Sequence, residues 1–279
     1  MQMERDVSKR CPRGSCCGPG FWNIQYNSLL NLELGKRTKA MPFTDDLLIA
    51  VRAENVRKAE NYANIEISKI SNWAKDNKIT FNEQKSKVMV VTKRKRRENT
   101  DISIYLNNKP LEQVNNIKYL GIILDRILNF REHIIHTSRK CSTLIHTLAK
   151  SAKLNWGLNH EALSTVYKVA ILPLKLYGAP VWIRAMEKKN YNRILYSRVQ
   201  RLMNIKIAKA YRTTSNDTLC ILTGNTPIEI KAEETANIYR ITRDRQNHQL
   251  EHETEPKNWN HPADSVRISD QNKAKEHTI

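Results

Sequence analysis

Hydrophobic residues recur along this chain at two periods, and the change from one to the other divides it. Over residues 21–34, Trp22, Tyr26, Leu29, Leu30 and Leu34 fall on one side of a helix, behind Pro19 and Gly20, which suit a helix start. An extended run at 40–43 and an apolar run at 47–51 follow, separated by two aspartates, which predicts a β-hairpin with an acidic tip. From 54 to 77, Val56, Ala59, Ala63, Ile67, Ile70, Trp73 and Ala74 recur at spacings of three and four, as one buried face of a long helix requires, and Asn77 stops it. Short strands are predicted at 79–81, 88–91, 102–106 and 109–111, the last two around an Asn107-Asn108 turn, and a final strand at 117–124. Beyond Phe130 the period is helical almost throughout, over 131–154, 159–176, 187–210 and 227–243. From Gln246 onward charges replace hydrophobes, which predicts a frayed tail. The fold class is therefore α+β: a mixed part, then an all-helical part, with no internal repeat.

Charge narrows the partners. Among 279 residues, Lys plus Arg number 47 against 28 Asp plus Glu, a net charge of +19, and such an excess favours a polyanion because neutralised phosphates release counterions. Nucleic acid is the first reading, with a ribosome-associated or membrane-surface factor as the alternative. The five cysteines are an odd number in a chain large enough to fold without staples, and read as free thiols of a reducing compartment. Cys11, Cys16 and Cys17 lack the paired spacing and the nearby histidine of a zinc site. No stretch approaches the roughly 18 apolar residues of a membrane span, so the expected protein is soluble and intracellular, in nucleus or cytoplasm.

Phe43-Thr44-Asp45-Asp46 carries the candidate chemistry. Adjacent carboxylates at a hairpin tip repel unless water screens them or a cation sits between them. Two Mg²⁺ ions held by carboxylates would stabilise both the attacking and the leaving oxygen of a phosphoryl displacement. An Asp pair is also ordinary turn chemistry, so the pair needs its context.

That context is a succession of motifs. Cys11-Pro12-Arg13-Gly14-Ser15, with Gly18-Pro19 and Phe21-Trp22-Asn23, resembles the nucleotide-pocket motif of non-LTR (LINE-like) retrotransposon reverse transcriptases. Phe43-Thr44-Asp45-Asp46 looks like that family's catalytic motif, Asn82 to Lys87 like its lysine-bearing motif, and Tyr119-Leu120-Gly121-Ile122 like its primer-grip strand. The likeness continues through Leu154 to Leu158, Leu172 to Trp182 with Tyr177-Gly178-Ala179-Pro180, and Val199 to Thr213, which look like the thumb and the region after it.

The resemblance implies a leader at 1–10, a partial palm of antiparallel strands and helices at 11–127, a helical thumb and connector at 128–245, and a charged tail at 246–279. It implies Asp45 and Asp46 as Mg²⁺ ligands, Arg13, Gly14, Ser15, Lys85 and Lys87 around the nucleotide, and Tyr119, Leu120 and Gly121 along the primer. The partners would be an RNA template, a DNA primer and deoxynucleoside triphosphates, without a membrane. On the basic helix, Arg193, Arg198, Arg201, Lys206 and Lys209 are expected to meet duplex phosphates. Three positions depart from the family: Arg13 replaces a glutamine, Pro42 sits in the strand leading to the aspartates, and Thr44 replaces an alanine. The fingers and the strand bearing the first metal-binding aspartate are expected ahead of Cys11, and neither Glu4 nor Asp6 has the flanking apolar strand to substitute. Polymerisation by this chain alone is therefore not expected. The alternatives are a nucleic-acid-binding remnant without chemistry and the nonfunctional product of a truncated element. Trp22, Trp73, Trp156 and Trp182 read as core, and His133, His136, His146 and His160 carry no expected catalytic role.

Overall fold

A computed structural model describes residues 16–92, 100–151 and 159–243, with the side chains of 149–151 left aside. The motif at 11–15, including Arg13, Gly14 and Ser15, lies outside the described residues, as do the five consecutive cations Lys93-Arg94-Lys95-Arg96-Arg97, the segment 154–158 with Trp156, and the tail. The chain divides into two compact units, Met1–Ile117 and Lys118–Ile279.

The first unit is built around two helices and a hairpin. Helix α1 spans Gly18–Leu30 with Pro19 in its first turn, three residues ahead of the expected start. Only Tyr26 and Leu29 of its apolar residues are buried, while Phe21 and Ile24 stay exposed. Strands β1 (Thr38–Phe43) and β2 (Asp46–Val51) pair antiparallel from Thr38 opposite Val51 to Phe43 opposite Asp46, which leaves Thr44 and Asp45 as a two-residue turn. Helix α2, Val56–Asp76, is capped by the Asn55 side chain, which accepts from the Lys58 backbone N–H at 2.8 Å. Of the seven residues expected on its buried face, Ile70, Trp73 and Ala74 are buried, and Val56, Ala59, Ala63 and Ile67 are half-buried. Tyr26, Leu29, Ile70, Trp73 and Ala74 form the core, and Trp22, Leu47, Ile49, Ile79 and Phe81 pack on it.

The strands after α2 are shorter than the apolar runs predict. Residues 79–81 form no strand, and Ile79 and Phe81 serve the core as loop residues instead. Each of β3 (Lys87–Val88), β4 (Tyr105–Leu106), β5 (Lys109–Pro110) and β6 (Glu112–Gln113) has two residues. Among the described residues every sheet has two strands, and β3 pairs with β6 in parallel, so the expected antiparallel sheet is corrected to separate small ladders. Side chains of α2 replace part of the missing sheet. Asn64 donates to the Ser103 carbonyl at 3.0 Å and accepts from the Tyr105 N–H at 3.0 Å, as a neighbouring strand would. Asn107 and Asn108, with φ of 51° and 61°, close the β4–β5 turn as expected.

The expected strand at 117–124 is instead a hairpin of β7 (Asn116–Tyr119) and β8 (Ile122–Asp125). Leu120 and Gly121, with φ of 44° and 81°, reverse the chain between them. Helix α3 (Arg131–Ser151) follows, and the loop before it is held by buried Asp125, which accepts from the backbone N–H groups of Ile127, Asn129 and Phe130. The expected helix at 159–176 is realised as α4 (His160–Val166), a π-helical turn (Tyr167–Ile171) and α5 (Leu172–Leu176). The expected helix at 187–210 is broken at Lys189, where φ is −129° and ψ is 98°. It gives α6 (Ala179–Lys188), which begins eight residues before the expected start, and α7 (Asn190–Ala208). An unforeseen helix, α8 (Asn216–Thr223), precedes α9 (Ile228–Arg243).

Helix α7 is central to the second unit. Tyr196 packs with Trp182 and Ile183 of α6 and Ile228 and Ala232 of α9 in one cluster. Val199, Met203 and Ile207 join Cys141, Ile145, Tyr167 and Ile171 in another. Its buried amides Gln200 and Asn204 are hydrogen-bonded: Gln200 donates to the Thr226 carbonyl at 2.8 Å and accepts from the Ile228 N–H at 2.8 Å, and Asn204 accepts from Asn225 at 2.9 Å. Lys175 is fully buried and donates to the Tyr196 carbonyl at 2.8 Å. Burial pushes its pKa down to about 7. Among the described residues no single helix is long and apolar enough to cross a membrane.

Candidate active site

The acidic turn is shaped by what touches its backbone. The indole N–H of Trp22 donates to the Thr44 carbonyl at 2.9 Å, tying α1 to the tip of the hairpin. Trp22 stacks on Tyr26, with ring centroids 5.0 Å apart, and Tyr26 meets Trp73 edge-on at 6.1 Å. The Trp73 indole in turn donates to the Ser28 hydroxyl at 3.0 Å. A chain of aromatic contacts thus runs from the core to the turn. Trp73 and Trp182 are core residues, as the sequence indicates, and half-buried Trp22 packs on the core while its indole N–H holds the turn. Its position four residues before Tyr26, one helical turn away, was the available signal.

Thr44 has a φ of 51°, a left-handed conformation that a β-branched residue adopts at a cost of about 1–3 kcal/mol. Its hydroxyl lies 2.7 Å from the Phe43 carbonyl and 3.1 Å from Asp45 Oδ1, two acceptors for one proton. The Trp22 bond and these contacts hold the turn in place. Pro42 stands opposite Leu47, next to the pair that closes the turn. Pairs alternate between hydrogen-bonded and not, so the nitrogen of Pro42 faces outward and no ladder bond is lost.

Asp45 and Asp46 are both exposed at this tip. Carboxylate oxygens suit a hard divalent cation, and these two are free of any ion pair among the described residues. Among the described residues no cluster of three or more His, Cys, Asp or Glu could hold a metal ion. The pair therefore fits as part of a donor set rather than as a whole one.

The lysine-bearing loop separates its two lysines. Asn82 accepts from the Lys85 N–H at 3.1 Å, and Glu83 accepts from Asn107 at 2.9 Å, which fixes the loop against the β4–β5 turn. The Asn107 bond lowers the pKa of Glu83. Lys87 is paired with Glu112, whereas Lys85 is exposed and in no ion pair among the described residues.

In the second unit two motifs meet. The Tyr177 hydroxyl donates to the Leu120 carbonyl at 2.8 Å, and Gly121 passes so close that a Cβ there would lie 3.0 Å from the Tyr177 ring. Tyr119 thus ends β7, and Leu120-Gly121 is a turn seated on Tyr177 rather than part of a continuous strand. Burial pushes the pKa of His133 down to about 4, so its neutral ring accepts from the Ile123 N–H at 3.4 Å. The cations of α7 do not share one face. At about 100° per residue, Arg193, Arg201, Arg198 and Lys206 spread over some 220°. Arg193 lies 3.9 Å from Glu229, and Arg201 donates to the Arg212 carbonyl at 2.5 Å and to Asn216 at 3.0 Å. Arg198 and Lys209 are exposed, and Lys206 is half-buried.

Residues 2–124 match the family described as reverse transcriptase (RNA-dependent DNA polymerase), whose members use divalent metal ions on a nucleic-acid template with nucleotide substrates. The chain is 27% identical over 230 residues to a Pol polyprotein from the type-1 retrotransposable element R1 of Bradysia coprophila, covering 82% of this chain and 23% of that protein. It is 28% identical over 241 residues to a putative 115 kDa protein of the R1DM element of Drosophila melanogaster, covering 86% of this chain and 23% of that protein. A probable RNA-directed DNA polymerase from the X-element of the same fly is 27% identical over 183 residues, 64% of this chain and 20% of that protein. The resemblance to non-LTR retrotransposon reverse transcriptases drawn from the motifs is borne out. The chain spans about a quarter of the length of the first two relatives. No solved structure matches it.

Proposed function

We propose that the chain is a portion of an RNA-directed DNA polymerase of a non-LTR retrotransposon, in which Asp45 and Asp46 are ligands of Mg²⁺. The observation that carries this reading is the exposed pair at a two-residue hairpin turn whose carbonyl is held by Trp22. When bound, the metal supplies charge for in-line displacement at the nucleotide's phosphate. Lys85, the unpaired cation of its loop, is the better candidate of the two lysines to face those phosphates, since Lys87 is neutralised by Glu112. Exposed Arg198 and Lys209 are the better candidates for contact with the template–primer backbone, because Arg193 and Arg201 are engaged within the protein.

Two-metal chemistry calls for a third, bridging carboxylate, which neither Asp45 nor Asp46 supplies. The chain by itself is therefore expected to bind nucleic acid without extending a primer. Primer extension on an RNA template with Mg²⁺ tests the second half of that statement, and robust templated synthesis would overturn it. Titration with Mn²⁺, followed by the broadening of Asp45 and Asp46 resonances, tests the first assignment. Equal broadening in the Asp45→Asn, Asp46→Asn double variant would remove the metal role.

A further inference from the structure

We infer that Tyr211 is a stacking platform for an unpaired base of a single-stranded RNA, flanked by Lys209 and Arg212 as backbone contacts. The inference rests on the nucleic-acid reading above and adds a binding position that the sequence motifs did not assign. Tyr211 is 85% exposed, well beyond the next most exposed tyrosine, Tyr177 at 54%. Two other exposed tyrosines are partly covered by cations: Arg131 lies 4.6 Å over Tyr191 and Arg243 lies 5.9 Å over Tyr239. Among the described residues no cation covers Tyr211.

The loop that carries the ring is rigidly held. Helix α7 ends at Lys209, whose left-handed φ of 49° turns the chain, and the Ala210 N–H bonds back to the Ile205 carbonyl at 3.1 Å. The Thr214 N–H bonds the Tyr211 carbonyl at 3.2 Å, and Ser215 caps α8 by accepting from the Thr218 N–H at 3.1 Å. Arg201 clamps the same loop through the Arg212 carbonyl and Asn216. Holding an aromatic ring in water on a fixed loop loses the benefit of burying it, and nothing in the core requires it there.

Charge complementarity selects the occupant. Between Arg201 and Asp217 the chain carries Lys206, Lys209 and Arg212 and no acidic residue. Lys209 and Arg212, on either side of the ring, are exposed. Cations beside an open aromatic face suit a strand whose phosphates lie at the edges and whose base lies flat on the ring. In a duplex the bases already stack on one another, so the ring would find no face to meet. The family's dependence on RNA selects the ribose form of that strand.

The test is anisotropy of a labelled twelve-nucleotide oligo(rA) titrated with the full chain. Tyr211→Ala is expected to weaken binding by about ten-fold or more, Tyr211→Phe to bind as the unchanged protein does, and a hairpin-capped duplex to be bound equally by all three. Tyr211→Ala should leave the salt dependence unchanged, whereas Arg212→Ala should reduce its slope by about 0.7. Unaltered thermal melting would show that the variants fold. Binding by Tyr211→Ala within two-fold of the unchanged protein overturns the inference, as does an equal loss on the duplex. An equal loss on oligo(dA) overturns the choice of RNA. Failure of the unchanged protein to bind any oligonucleotide overturns the nucleic-acid reading itself, and the platform with it.

Discussion

Gly178 is the position where adding one methyl group should disturb the second unit most clearly. Its φ is +66°, and a Cβ there would lie 2.4 Å from Ile122 Cδ1 and 3.1 Å from Ile122 Cγ1. An L-residue in the left-handed region costs about 1–2 kcal/mol. The overlap can be relieved by swinging Ile122 off its rotamer, which adds about 0.5–1.5 kcal/mol. Gly178→Ala should therefore lose about 1.5–3.5 kcal/mol, a large part of the roughly 5–15 kcal/mol that holds a domain. At 2–4 °C per kcal/mol for a unit of this size, melting should fall by roughly 3–14 °C. Urea unfolding followed by tryptophan fluorescence would measure it, because Trp182 is fully buried beside this turn and donates to the Tyr177 carbonyl at 2.8 Å. Ile122→Val removes the atom that overlaps and alone costs about 0.5–1.5 kcal/mol. With that overlap relieved, the double variant should be more stable than the sum of the single losses by about 0.5 kcal/mol or more. A Gly178→Ala loss below about 1 kcal/mol, or strict additivity, would mean that the left-handed turn and Ile122 leave room for a side chain at 178.

Three further outcomes follow from other contacts. Trp22→Phe keeps the stack on Tyr26 but removes the donor to the Thr44 carbonyl, so it should cost about 1 kcal/mol and speed amide exchange at Asp45 and Asp46, read by NMR. Lys175, with its pKa lowered to about 7, leaves the folded chain binding fewer protons than the unfolded chain up to the ordinary lysine value of 10.5. Stability should thus rise with pH across that window, by at most about 1.4 kcal/mol per pH unit, and Lys175→Met should abolish the rise in urea titrations. His133, lowered from 6.5 to about 4, works in the same direction at acid pH. Its contribution is present above 6.5 and lost as pH falls toward 4, so His133→Asn should flatten that part of the acid-unfolding curve.

What the sequence made legible was whatever depends on local periodicity and turn chemistry. The hairpin around Asp45 and Asp46, the long helix stopped by Asn77 and the Asn107-Asn108 turn each follow from residues close together in the chain. Where a distant partner supplies the bond, the reading failed. Ile79 and Phe81 look like a strand but need no ladder, because the core between α1 and α2 already takes their side chains. Residues 117–124 read as one strand because Leu120 is apolar. Its turn depends on the Tyr177 hydroxyl, 57 positions away, and on a glycine at 121 that alternation alone does not reveal.

The basic helix shows why charge is the hardest signal to convert into a site. Counted along the chain, its cations form one block, and a block of one sign reads as a phosphate groove. Folding sorts them by partner. Glu229 comes from α9, and the carbonyl of Arg212 comes from a loop, so exposed Arg193 and half-buried Arg201 face partners within the protein, while Arg198 and Lys209 are exposed and in no ion pair among the described residues. The clamp by Arg201 has a consequence for its neighbour in space: the same bond that withdraws its guanidinium from a ligand fixes the loop that presents Tyr211. Removing Arg201 should therefore weaken nucleic-acid binding through the loop rather than through a lost phosphate contact. In an Arg201→Ala variant, affinity would fall while the salt slope stayed constant, and a slope reduced by about 0.7 would instead return Arg201 to the phosphate face.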